Sequence, residues 1–430
     1  MGERLPAADW TARADLAALI AALGPGNARY VGGAVRDTLL GLPVKDIDIA
    51  TPLLPDEVMA RLKAAGIRCV PTGIEHGTVT AVLGGDPVEV TTLRHDVSTD
   101  GRRATVAFAQ DWQDDAARRD FTINALYADP VTGEISDWFG GLADLAARRV
   151  RFIGDARQRI LEDHLRILRY FRFQARFGSL PADSEAENSC HNLAETLRNL
   201  SRERVGMEIL NLLSLPNPAP TVARMAELGV LAIVLPEAQI PELAALVAEE
   251  MRQDIAPDAL RRLAALLPAD AHVAADVAER FRLSNAETKR LKVAAARENP
   301  PRHGEVADAK RMTEGARPGT QPMSRSEESP LHHPSGGPPP RSGEDQARTL
   351  AYRLGMVEAL DRLLLTGAST APLKGWQVPT FPLKGGQIIA KGIKAGPEVS
   401  RILHSVEDRW VAEGFPGAER VKELLELSLI

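Results

Sequence analysis

Near residue 140 the apolar residues of this 430-residue chain change their period. Before that point, short runs such as "ARYVGG", "DIDIAT", "TVTAVL", "PVEVTTL", "ATVAF" and "INALYAD" have the alternation and β-branched content of strands. Helices are expected between them at Ala34 to Leu40 and Pro55 to Ala65. From Gly154 to about Arg297 the apolar residues recur at three and four instead, in "ARQRILEDHLRILRYFRFQARF" and "RERVGMEILNLL", and prolines punctuate "PAPTVARMAELGVLAIVLPE". The switch predicts an α/β or α+β sheet region followed by a remainder that is mainly α.

The length allows two to four packed units. Between Thr313 and Gln346 the only large apolar side chains are Met323 and Leu331, too few to bury a core, so a disordered linker or insertion is expected there. His332 and His333 inside it make a poor metal site, because flexible neighbours cannot fix geometry. Helical periodicity resumes at "RTLAYRLGMVEALDRLLL". Cys69 and Cys190 stand far apart in unlike contexts, which argues against a disulfide framework and for a reducing, cytoplasmic setting. No export signal or membrane span is read. Lys plus Arg number 52 against 58 Asp plus Glu, and the net charge of −6 gives no global attraction to nucleic acid. Arginine is concentrated locally at "ARRVRF" (147–152) and "RYFRFQARF" (169–177), where the ordinary reading is a solvated face.

The stretch "YVGGAVRDTLLGLPVKDIDIAT", Tyr30 to Thr51, carries the chemistry. In "DIDIA" a strand period puts Asp46 and Asp48 on one face and Ile47 and Ile49 on the other. Two carboxylates side by side repel unless a cation joins them, and Mg²⁺ suits such oxygen ligands. A lone D-x-D is equally a salt-bridged strand end. Upstream, Gly32 and Gly33 end a strand and open a helix, where backbone N–H groups can face a phosphate, with Arg36 on the first turn to clamp it. Downstream, Glu89 in "PVEVTTL" is a candidate third ligand, or else a rim salt bridge. Together these residues describe a two-metal nucleotidyl-transfer site with Asp46, Asp48 and Glu89 as its carboxylates.

Five ordered stretches, "GGAVRDTLLGLPVKDIDIAT", "EVTTLRHDVSTDGRRATVAF", "RRDFTINALYAD", "EDHLRILRYFRFQARF" and "SRERVGMEI", resemble the class II tRNA nucleotidyltransferase and bacterial poly(A) polymerase family over roughly residues 28 to 215. A looser echo sits in "FPLKGGQIIAKGIKAGPEVSRIL". The resemblance implies a polymerase β-type nucleotidyltransferase head at 1–142, a helical neck at 143–215, a body at 216–302 and a tRNA-binding tail at 347–430, with the linker at 303–346. It implies Mg²⁺-dependent attack of a tRNA 3′-hydroxyl on CTP or ATP, with two ions on Asp46 and Asp48. It also implies that Arg119, Asp120 and Asn124 meet the incoming nucleotide, with Asp120 an acceptor for a ribose 2′-hydroxyl, and that Asp100, Gly101, Arg102 and Arg103 form a flexible loop.

The run "EDHLRILRYFRF" reads as one helix with Leu161, Leu165, Leu168 and Phe171 buried, and with Asp163, Arg166 and Arg169 three apart on a neighbouring face. The bland reading is an i,i+3 salt bridge. The sharper one is a protein template: an aspartate that accepts and an arginine that donates match the Watson–Crick edges of C and A and oppose those of G and U. The leading expectation is addition of C, C and A to tRNA. Rival expectations are a poly(A) polymerase, an enzyme adding only CC or only A, and a catalytically silent RNA-binding protein on the same scaffold.

Overall fold

The computed structural model describes residues 3–84, 86–99, 104–109, 111–297 and 343–429. They fall into two compact units: Met1–Ile240 with Glu279–Leu283, and Pro241–Ala278 with Ser284–Ile430.

The first unit is built on nine strands: β1 (Arg29–Val31), β2 (Ile47–Thr51), β3 (Cys69–Gly73), β4 (Thr78–Leu83), β5 (Asp86–Thr92), β6 (Arg94–Thr99), β7 (Ala104–Phe108), β8 (Tyr127–Ala128) and β9 (Ile135–Ser136). Seven of them form a mixed sheet in the order β3-β4-β5-β2-β1-β8-β9, and β6 and β7 pair separately as an antiparallel hairpin. The expected flexible loop, Asp100 to Arg103, falls between β6 and β7 and outside the described residues. The pairing of β2 with β5 is parallel, and its register sets Asp48 beside Glu89. Helix α1 (Ala14–Leu23), α2 (Gly33–Leu39) and α3 (Pro55–Ala64) accompany the sheet, within a residue or two of where the periodicity put the latter two.

Beyond the sheet come α4 (Trp112–Ala117), α5 (Gly141–Ala146), α6 (Ala156–Glu162), α7 (Arg166–Phe177), α8 (Ser184–Asn192) and α9 (Arg202–Leu213). The expected single helix through "EDHLRILRYFRF" is broken: α6 stops at Glu162, Asp163 is extended at φ −149°, and α7 starts at Arg166. No glycine or proline marks the break. The Asp163 side chain accepts the backbone N–H of Leu165 at 3.1 Å, an interaction that competes with helix continuation. Leu165, Leu168 and Phe171 are buried as expected, but Leu161, on the far side of the break, is exposed.

Helix α7 turns its apolar face inward: Ile167, Leu168, Tyr170, Phe171, Phe173 and Phe177 are buried. Phe121 pairs with Phe152 in an isolated bridge, and their rings stand 5.0 Å apart. Phe173 lies 4.9 Å from Phe121, and Tyr170 stacks on Phe152 at 5.8 Å. This aromatic seam binds the sheet side of the unit to α7.

The second unit is helical, with Ala259–Leu266, Asn285–Ala296, Gly343–Leu354, Met356–Leu365, Pro397–Ala412 and Ala418–Leu429 among its elements. Its interior holds a buried ionic cluster: Arg261 bonds Glu250 at 2.6 Å and Asp361 at 2.9 Å, and Arg290 bonds Asp361 at 2.7 Å. The helix from Gly343 includes the last four residues of the expected linker, which are therefore helical. Residues 303–342 of that linker lie outside the described residues.

Packing is close where α5 meets the backbone of Thr122: a Cβ on Gly141 would stand 2.3 Å from the Thr122 carbonyl oxygen. Gly141→Ala should therefore destabilise the fold by about 1–3 kcal/mol, because backbone must move. Gly417→Ala, where nothing lies within 4 Å of the added carbon, should melt like the parent. Thermal unfolding of both variants checks this, and equal melting temperatures would contradict it.

Candidate active site

Asp48 sits in β2 between the buried Ile47 and Ile49, half-buried itself. Asp46 is exposed and immediately precedes the strand, so the two carboxylates flank its first residue. Glu89 is the register neighbour of Asp48 on β5, an exposed residue one strand spacing away. Burial pushes the Asp48 carboxyl above its usual range, and the charges of Glu89 and Asp46 add to this while Arg119 opposes it. Excess negative charge at one point is what a cation relieves. Among the described residues, however, no three His, Cys, Asp or Glu side chains converge on a ready-made metal cage. Glu89 stands as the strand neighbour of Asp48. Mg²⁺ is commonly held by one or two carboxylates and completed by water and substrate phosphates, so the Asp46–Asp48 pair fits that kind of open site.

Gly32 caps α2 with φ +68°, and a Cβ there would meet Arg119 Nη1 at 3.3 Å and the Asn124 carbonyl at 3.6 Å. Both its backbone and its crowding call for glycine. Gly33 is the first residue of α2. Arg119 thus reaches the turn that follows β1, and its charge is felt at Asp48. Its Nε donates to the Tyr127 hydroxyl at 2.9 Å and its Nη2 to Asp115 at 3.2 Å.

Arg36 does not reach outward as the sequence led one to expect. It is 6% exposed, donates to Asp37 at 2.7 Å and to Asn124 Oδ1, and stacks 4.1 Å above Phe177. Asp120 is also spoken for: Oδ1 accepts from the Phe121 N–H at 2.9 Å and Asn124 Nδ2 at 3.0 Å, and Oδ2 from Arg169 Nε at 2.9 Å and Nη2 at 2.5 Å. A carboxylate has about four acceptor sites, so none remains for a ribose hydroxyl in this arrangement. Burial opposes ionisation of Asp120, yet Arg169 and Asn124 hold its carboxyl below the usual range. Arg169 also lies 3.8 Å from Glu208, which pairs with Arg172 at 2.7 Å, while Arg176 reaches Asp37 at 3.4 Å. The arginines of "RYFRFQARF" face carboxylates and are not a free basic surface. In "ARRVRF", Arg149 and Arg151 likewise donate to Asp144, at 2.7 and 2.9 Å.

Asp163 and Arg166 do not bridge each other. Asp163 Oδ2 accepts from Arg204 at 2.9 Å. Arg166 Nη1 donates to Glu162 at 2.6 Å and to the Arg159 carbonyl at 2.8 Å, and Nη2 to the Arg118 carbonyl at 3.2 Å. Sequence reasoning missed Asp37, Asp115, Tyr127, Arg204 and Glu208. A signal existed for Asp115, which stands three and four residues before Arg118 and Arg119.

Residues 28–151 match the family model of the poly A polymerase head domain, and 182–240 match a probable RNA and SrmB-binding site of polymerase A. Mitochondrial CCA tRNA nucleotidyltransferase 1 of Mus musculus is 44% identical over 205 residues, covering 47% of each chain. Over its first half this chain is similar to the class II tRNA nucleotidyltransferase and poly(A) polymerase family. A second family relative, the CCA-adding enzyme of Leuconostoc citreum, is 43% identical over 189 residues, 44% of this chain and 45% of that one. The alignments span about half the length of these curated relatives. The structure of the Bacillus stearothermophilus CCA-adding enzyme in complex with CTP matches over 96% of both chains, with a TM-score of 0.65 at 25% identity. The likeness in fold therefore extends past the half that aligns with the curated relatives. No helix among the described residues is long and apolar enough to cross a membrane.

The Asp120–Arg169 pair carries a pH signature. Because the folded carboxyl titrates below its ordinary value, its stabilisation is complete above about pH 4–5 and is lost as pH falls through the folded value. Asp120→Asn should cost about 2–3 kcal/mol at pH 7, less than a fully buried pair because the Arg169 side chain is 32% exposed. Thermal melts from pH 7 down to about pH 3 should show the gap to the parent narrowing with acid. A gap constant with pH would contradict the assignment.

Proposed function

We propose that this chain adds C, C and A to the 3′ end of tRNA from CTP and ATP, without a nucleic-acid template and with release of pyrophosphate. The observation that carries the reading is the meeting of Asp48, Arg119 and the Gly32 turn beside the central strands β1 and β2 of the head sheet, in a chain whose relatives include a CCA tRNA nucleotidyltransferase and a CCA-adding enzyme. Asp46 and Asp48 would hold Mg²⁺, two ions in the full reaction, supplying the charge that activates the RNA hydroxyl and neutralises pyrophosphate. Arg119 offers its free Nη1 to the triphosphate beside Gly32, where no side chain intrudes. Asp120, Asn124, Arg36 and Arg169 form the wall behind it and keep the α7 side of the pocket in place.

Base choice falls to Asp163 and Arg166. Each oxygen of Asp163 has one protein donor and keeps a lone pair for the amino group of C or A. Arg166 has five N–H groups, three of them used, so Nε–H and one Nη2–H remain to donate to a ring nitrogen. G and U present the opposite pattern. The partners of both side chains hold them still, and a rigid pair discriminates better than a mobile one. The match of 182–240 to an RNA-binding region supports tRNA contact by the helices that follow the head.

Sizing products on tRNA transcripts ending before C, after CC and after CCA tests the reading. With CTP and ATP the first should gain three nucleotides, the second one, and the third none. Asp48→Ala should give no product, and Asp163→Ala should admit UTP and GTP, with discrimination falling roughly ten- to a hundredfold. Long adenosine tails would instead indicate a poly(A) polymerase, and arrest after CC a partial enzyme.

A further inference from the structure

Asp115 is a buried carboxylate that the transfer reaction just described does not use. It is 1% exposed and receives four donors: the Tyr127 hydroxyl, Arg118 Nε at 2.9 Å, Arg119 Nη2 at 3.2 Å and the backbone N–H of Arg94, the first residue of β6, at 3.2 Å. Tyr127 is itself fully buried, and its hydroxyl accepts from Arg119 Nε at 2.9 Å while its ring lies 5.2 Å from the guanidinium carbon. Arg119 is therefore gripped at two of its three nitrogens by two side chains that also bond each other. The third, Nη1, makes no hydrogen bond among the described residues and stands 3.3 Å from where a Cβ of Gly32 would be.

A guanidinium is planar, so fixing Nε and Nη2 fixes the direction of Nη1 as well. Without Asp115 and the Tyr127 hydroxyl the side chain would be free to swing toward water, and the binding of a triphosphate would have to order it again. Asp115 neutralises the inner edge of Arg119 only, leaving the outer edge to attract an anion.

We propose that Asp115 and the Tyr127 hydroxyl are positioning residues that aim Arg119 Nη1 at the triphosphate of the incoming nucleotide. The proposal rests on the nucleotidyl-transfer reading above. Phosphates are common to CTP and ATP, so the effect is indifferent to the base. It is also separate from tRNA binding.

The test is a double-mutant cycle among Asp115→Asn, Tyr127→Phe and Arg119→Ala, read by KM and kcat for CTP and ATP, by KM for tRNA and by equilibrium binding of CTP to the same proteins. Each of the first two substitutions should weaken CTP and ATP by the same factor, roughly three- to thirtyfold in KM and in CTP binding, with KM for tRNA unchanged. Combined with Arg119→Ala, neither should weaken nucleotide binding further. Additive losses, or a fall in kcat alone with nucleotide KM unmoved, would overturn the proposal. Tyr127→Phe removes one hydroxyl only and decides the matter if Asp115→Asn fails to fold. Were the parent to bind CTP but transfer nothing, the function reading would fail while the binding cycle still judged this one.

Discussion

Asp120 and Arg169 join two parts of the chain that are 49 residues apart, and much of the first unit's order follows from how completely that contact is satisfied. A carboxylate that is 9% exposed is costly unless its lone pairs are filled. Here four donors fill them, one being the N–H of Phe121, so the backbone that carries the aromatic seam is held by the same group. Asn124 passes the constraint on to Arg36 and Asp37, and Arg176 on α7 closes the path by returning to Asp37. The result is a ring of polar contacts around the stack of Phe173 and Phe177 under Arg36. Rings of this kind are worth more than their separate bonds, because removing one member leaves several buried charges unpaired.

This arrangement changes the meaning of the arginine-rich helix. In the sequence, Arg166, Arg169, Arg172 and Arg176 form a stripe at helical spacing, the pattern of a nucleic-acid patch. In the fold each meets a carboxylate: Glu162, Asp120, Glu208 and Asp37 in turn. The stripe fastens α7 to its surroundings and so sets where the residues just before it, Asp163 among them, stand.

What was legible in the sequence was whatever local pattern dictates. The change of period separated sheet from helices, the Gly-Gly turn opened α2, and alternation put Asp48 between two buried isoleucines. The misses share a cause: each depended on a partner distant in sequence. Helix periodicity carried α6 straight through Asp163, and only the capping of Leu165 and the reach of Arg204 from α9 explain the break and the exposure of Leu161. Arg36 looked like a phosphate clamp because neither Phe177 nor Asn124 is its neighbour in the chain. Asp120 looked free for a ribose because Arg169 lies beyond local reach. Glu89 was legible as an acidic strand residue, but its place beside Asp48 comes from the parallel register of β2 with β5, which alternation within a strand does not set.

If the Asp120–Arg169 contact is the tie on which α2 and α7 both depend, loosening it should be felt on both helices at once. Hydrogen exchange on Arg169→Met, which keeps the apolar stem and removes the charge, tests this most directly. The account predicts that amides of Gly33–Leu39 and Arg166–Phe177 lose protection together, while helices of the second unit such as Pro397–Ala412 exchange as in the parent. Protection lost in α7 alone, with α2 unchanged, would contradict it.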